Sequence, residues 1–125
     1  SPLSEIQMRQ SPATAGHLSV AERTEKAERI IAFLRQRYPS KTADNVAADI
    51  GGSAETIQKM IDRCSTPSAI TFGRMIITYG PSFLVAVYPA SPKWLSDAAQ
   101  RERLAELEAT QASINAELTA LRAQL

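Results

Sequence analysis

The stretch Ala43–Asp62, ADNVAADIGGSAETIQKMID, decides the fold. Its first half places Val46, Ala47 and Ile50 on one face of a short helix, and its second half places Ile57, Met60 and Ile61 at the same helical spacing. Between them, Gly51 and Gly52 supply the positive-φ freedom of a tight reversal. Ser53 is a good N-cap for the second helix, Ser53–Arg63. Ala47 leaves room for two helices to cross closely, while Ile57 and Met60 fill the angle between them. The pattern is that of two helices joined by a glycine turn. A plain αα-hairpin in a small helical domain shares much of this spacing.

The flanks extend the helical reading in both directions. Upstream, Ser19 with Glu22 forms a capping-box spacing, Ala27, Ile30, Ile31 and Leu34 give one apolar face, and Pro39 ends the helix. Residues 1–19 contain two prolines, a glycine and scattered small polar residues, and read as a tail or arm. The only histidine, His17, lies there without companion ligands. Downstream, Ser65-Thr66-Pro67-Ser68 is a turn leading to a fourth helix with Ile70, Phe72, Met75, Ile76 and Tyr79. Gly80-Pro81 breaks it, and Pro81 opens a fifth short helix, PSFLVAVY, whose apolar character on nearly all sides predicts burial.

From Pro92 to Leu125 the chain runs without an internal glycine or proline. Leu104, Leu107, Gln111, Ile114, Leu118, Leu121 and Leu125 follow alternating steps of three and four, the a/d seam of a coiled coil. With Leu104 at a, Arg103 and Glu117 occupy g positions, and Glu108 and Arg122 occupy e positions. In a parallel pair Arg103 meets Glu108 of the other copy and Glu117 meets Arg122, both attractive. Gln111 in the seam trades stability for register. The expectation is a parallel homodimer, with a higher oligomer as the alternative that Leu at a and Ile114 at d favour. Trp94 and Leu95, at the helix start, are expected to pack on the globular part.

The Val46, Ala47, Ile50, Gly51, Ile57 and Met60 pattern resembles the helix-turn-helix of the lambda-repressor-like family of small bacterial, phage and plasmid regulators. It covers about twenty residues directly and about sixty by extension. The resemblance implies five helices around one core, with the second helix of the motif offered to the DNA major groove. On that reading the outward residues of Ser53–Arg63 are Ser53, Ala54, Glu55, Gln58, Lys59, Asp62 and Arg63. Gln58 suits adenine, Lys59 suits guanine or a phosphate, and Glu55 suits the cytosine amino group. Ser53 and the first backbone N–H groups suit a phosphate. Two such helices in a dimer imply a palindromic operator with half-site centres ~34 Å apart or a multiple of it.

Composition sets the frame for this reading. With 125 residues, the chain has room for one compact domain plus an extension. Apolar residues make up 44% of it and aromatics only 6%, with Ala, Leu, Glu, Gln and Arg prominent and no sustained apolar–polar alternation. The expected fold class is therefore all-α, with a tail over 1–19, a five-helix domain over 20–90 and a coiled-coil helix over 91–125. Net charge is only +1. Residues 1–40 carry six Lys/Arg against four Asp/Glu, residues 41–92 four against four, and residues 93–125 four against five. Arg35, Arg37 and Lys41, just before the motif, suit DNA phosphates, or serve as solvated residues that complement a helix dipole. Glu55 and Asp62 leave the reading helix without net positive charge.

No constellation supports catalysis, so the chain is expected not to be an enzyme. One His and one Cys exclude a multi-ligand Cys/His zinc site. GGSAE lacks the lysine of a phosphate-binding loop, and no serine sits in a nucleophile-elbow context. Asp44 and Asp49 are read as capping and surface residues rather than a metal pair. Neither a metal, a cofactor nor a small-molecule ligand is expected. The absence of a long apolar stretch or signal-like leader, together with the single Cys64, fits a cytoplasmic protein associated with the nucleoid through DNA. Two other classes share these features. A phage small terminase subunit combines a helix-turn-helix with helical oligomerisation elements but assembles rings. A protein-interaction module, such as an anti-activator, uses the motif as a scaffold.

Overall fold

The computed structural model describes the backbone of residues 2–125 and the side chains from Val20 onward, so the reading of His17 lies outside the described side chains. Six α-helices follow one another: α1 (Pro2–Arg37), α2 (Thr42–Ile50), α3 (Ala54–Arg63), α4 (Ala69–Tyr79), α5 (Pro81–Val87) and α6 (Lys93–Gln124). Among the described residues there is no strand, as an all-α chain requires. None of these helices is long and apolar enough to cross a membrane.

The chain divides into two compact units, Ser1–Thr78 and Tyr79–Leu125. This differs from the expected division at residue 90, because α5 groups with α6. In the second unit Phe83, Val87 and Leu95 are buried, and the Tyr79 and Phe83 rings lie 6.1 Å apart. The start of α5 is tied to α6 by Ser82 Oγ, which donates to Glu102 Oε1 at 3.0 Å. Gly80 precedes Pro81 at φ 73° and ψ −155°, a conformation in which a Cβ would meet Glu102 Oε2 at 2.7 Å. Trp94 departs from expectation: it is 69% exposed while Leu95 is buried. Consecutive residues point about 100° apart around a helix, and the Leu95 side is the one that is covered.

In the first unit α2 packs on both α1 and α3. Ala27, Ile30, Ile31 and Leu34 of α1 are buried, as are Ala43, Val46, Ala47 and Ile50 of α2 and Ile57, Met60 and Ile61 of α3. The helix α1 is continuous from Pro2, so Ser19 lies within it rather than capping its start, and residues 2–19 are helical. Pro2 suits a first helical turn, and a single interior proline such as Pro12 removes one hydrogen bond and bends a helix without having to end it. On α4, Met75 and Tyr79 are buried and Phe72 and Ile76 are half-buried, whereas Ile70 is 73% exposed. Phe72, Met75, Ile76 and Tyr79 form a three-four stripe, and Ile70 falls off it, sharing a face with the exposed Ile77.

Candidate nucleic-acid interface

The geometry of α3 follows from its two ends. Gly51 ends α2 at φ 72° and ψ 29°, and the Gly52 N–H donates to Ala47 O at 2.9 Å, a Schellman-type stop. The chain reverses within Gly51, Gly52 and Ser53. Ser53 then takes an extended conformation, and its Oγ accepts from the Thr56 N–H at 3.4 Å, the N-cap arrangement expected from its residue type. At the other end Cys64 adopts φ 48°, and the Ser65 N–H donates to Met60 O at 3.0 Å. A glycine-like stop is thus made by a cysteine.

With Ile57, Met60 and Ile61 turned inward, Ser53, Glu55, Gln58, Lys59, Asp62 and Arg63 are all exposed, and Ala54 is half-buried. Four of them are paired on the same helix. Gln58 Nε2 donates to Asp62 Oδ1 at 2.8 Å, and Lys59 Nζ lies 3.2 Å from Glu55 Oε1. Exposed pairs one turn apart are worth about 0.3–0.5 kcal/mol, so a competing base edge or phosphate displaces them at small cost.

The exposed face of α3 is flanked by two open depressions. Arg35, Lys41 and Gln58 line the first, together with Thr42 and Asp44. Lys41 stands at the start of α2 in the left-handed conformation, φ 53°, and the Asn45 N–H donates to its carbonyl at 3.0 Å. Arg37 is not among the lining residues. Its guanidinium lies over the Tyr38 ring, 5.9 Å from the centroid. Two residues apart on a helix, Arg35 and Arg37 point roughly 200° apart, so the three cations read together in the sequence do not converge. Asp49 accepts a 2.6 Å hydrogen bond from the Tyr38 hydroxyl and so ties the end of α1 to α2, while Asp44 sits in the first turn of α2.

The second depression is lined by Lys59 and Arg63 of α3 and by Ser65, Thr66, Ser68 and Thr71. Ser68 Oγ accepts from the Thr71 N–H at 3.2 Å and caps α4. These hydroxyls were legible in the sequence only as a turn. The turn stands beside the basic end of α3 by chain order, since Arg63 precedes Ser65 by two residues. Lys59, Arg63, Ser65 and Ser68 are exposed on this face, and Thr66 and Thr71 are half-buried.

No protein-family model, curated protein or solved structure matches the chain.

Proposed function

We propose that the chain is a sequence-specific double-stranded DNA-binding protein of the transcriptional-regulator type, with α3 as its reading helix. The observation that carries this reading is the placement of α3. A three-residue turn and a serine cap present its polar face outward, with Arg35 and Lys41 beside Gln58 on one side and Lys59 and Arg63 beside a hydroxyl-bearing turn on the other. An exposed polar helix between two cationic edges matches the division of labour in DNA recognition, where central side chains meet base edges and flanking cations meet phosphates. Gln58 serves adenine, Lys59 a guanine or a phosphate, and Glu55 a cytosine amino group. Arg35 and Lys41 seat one strand.

The second reading, a protein-interaction module, draws support from the charge of α3, where Glu55 and Asp62 balance Lys59 and Arg63 and where Glu55 pairs with Lys59 and Asp62 with Gln58. Selection of bound duplexes from a random pool separates the two. Enrichment of a common site at low salt is the expected result. A pool that stays random after repeated rounds at low salt overturns DNA recognition and favours the interaction module.

A further inference from the structure

From Arg103 to Leu125 every side chain of the chain is exposed, so the last ~33 Å of α6 stands clear of its own unit. The apolar side chains there are not scattered. Leu104, Leu107, Ile114, Leu118 and Leu121 are 42–60% exposed and share one stripe, which ends at the fully exposed Leu125. A free helix with such a stripe keeps apolar surface in water and gains nothing from tertiary packing, the usual source of helix stability.

We infer that Arg103–Leu125 pairs with the same segment of a second copy of this chain, parallel and in register, as a two-stranded coiled coil. This inference is independent of what α3 binds. The choice of occupant rests on charge. Arg103 and Glu108 stand five residues apart on opposite flanks of the stripe, and so do Glu117 and Arg122, with the signs reversed. A parallel copy therefore meets opposite charge at both places on each side of the seam. An antiparallel copy with the same core brings Arg101 against Arg122 and loses both matches. Arg103 also lies 3.4 Å from Glu106 of its own helix, an exposed contact that the interstrand pair replaces. Gln111 faces Gln111 of the other copy and penalises any shift that would bury it against leucine.

Sedimentation equilibrium of the full chain is expected to give the mass of two chains, and Leu118→Lys is expected to raise the dissociation constant at least a hundredfold. Orientation is read in a Cys64→Ser background by oxidising Leu125→Cys. Parallel helices bring the two thiols together and give a disulfide-linked dimer in high yield, whereas antiparallel helices hold them ~30 Å apart. Glu117→Arg alone sets Arg against Arg and is expected to weaken association about tenfold, with Glu117→Arg/Arg122→Glu restoring it. A monomeric chain at high concentration, a larger assembly, or a dimer that does not cross-link at residue 125 overturns the inference.

Discussion

Replacing Gly51 by alanine isolates the conformational demand of the turn that orients α3. Gly51 is at φ 72°, and no atom lies within 4 Å of a Cβ built there, so the substitution adds backbone strain without a clash. An L-residue in the left-handed region costs about 1–2 kcal/mol relative to glycine. The reduced freedom of the unfolded chain returns about 0.4–1 kcal/mol. The net expectation is a loss of about 1 kcal/mol. For a domain of this size that lowers the thermal midpoint by about 4–8 °C. Gly52→Ala is the matched control. Its added Cβ makes ordinary contacts of 3.6 Å with Ile50 Cδ1 and Cγ1, and its φ is not positive, so it is expected to be neutral or stabilising by up to ~0.5 kcal/mol. Urea unfolding followed by far-UV circular dichroism, with all variants at one protein concentration, measures the difference. Equal midpoints for the two variants would refute the turn geometry.

Two other substitutions probe the same corner. Ala47 is 7% exposed on the packed face of α2, so Ala47→Leu is expected to overpack it and cost about 1–3 kcal/mol; a thermal midpoint equal to that of the parent contradicts the packing. Cys64 holds a left-handed conformation at φ 48°, so Cys64→Gly is expected to raise the urea midpoint, gaining about 0.5–1 kcal/mol from relieved strain, and a lower midpoint rejects the strain argument.

The local parts of this fold were readable because their causes are local. Gly51 and Ser53 carry the turn and cap by their own chemistry, and the three-four spacing of Ile57, Met60 and Ile61 follows from helix periodicity. The long helix from Pro92 was marked by the absence of breakers. Features set by competition between neighbours were not readable. Trp94 and Leu95 are both apolar, and only the covered side of α6 distinguishes them. The start of α1 was masked by Pro12 and Gly16, which weaken a helix without having to stop it. Lys41 and Cys64 occupy left-handed positions that residue type argues against, because the flanking helices fix where the chain must turn. At the candidate site, Gln58 and Lys59 were identified by position on the outward face. The Glu55–Lys59 and Gln58–Asp62 pairs follow the four-residue spacing of one helix face, and the parting of Arg35 from Arg37 follows their two-residue spacing, so both were legible once the helices were placed. What spacing does not encode is the lodging of the Arg37 guanidinium over the Tyr38 ring.

The most direct test of α3 as a DNA-reading helix is a fluorescence-anisotropy titration of the parent, Gln58→Ala and Lys59→Ala on a selected duplex and on scrambled duplexes, at several salt concentrations. Gln58→Ala is expected to lose ~1–3 kcal/mol on the selected site and to relax preference at one base pair. Lys59→Ala, where it meets a phosphate, is expected to weaken all duplexes alike and to flatten the salt dependence by about one unit of slope per contact. If both variants bind every duplex as the parent does, α3 is not the reading helix.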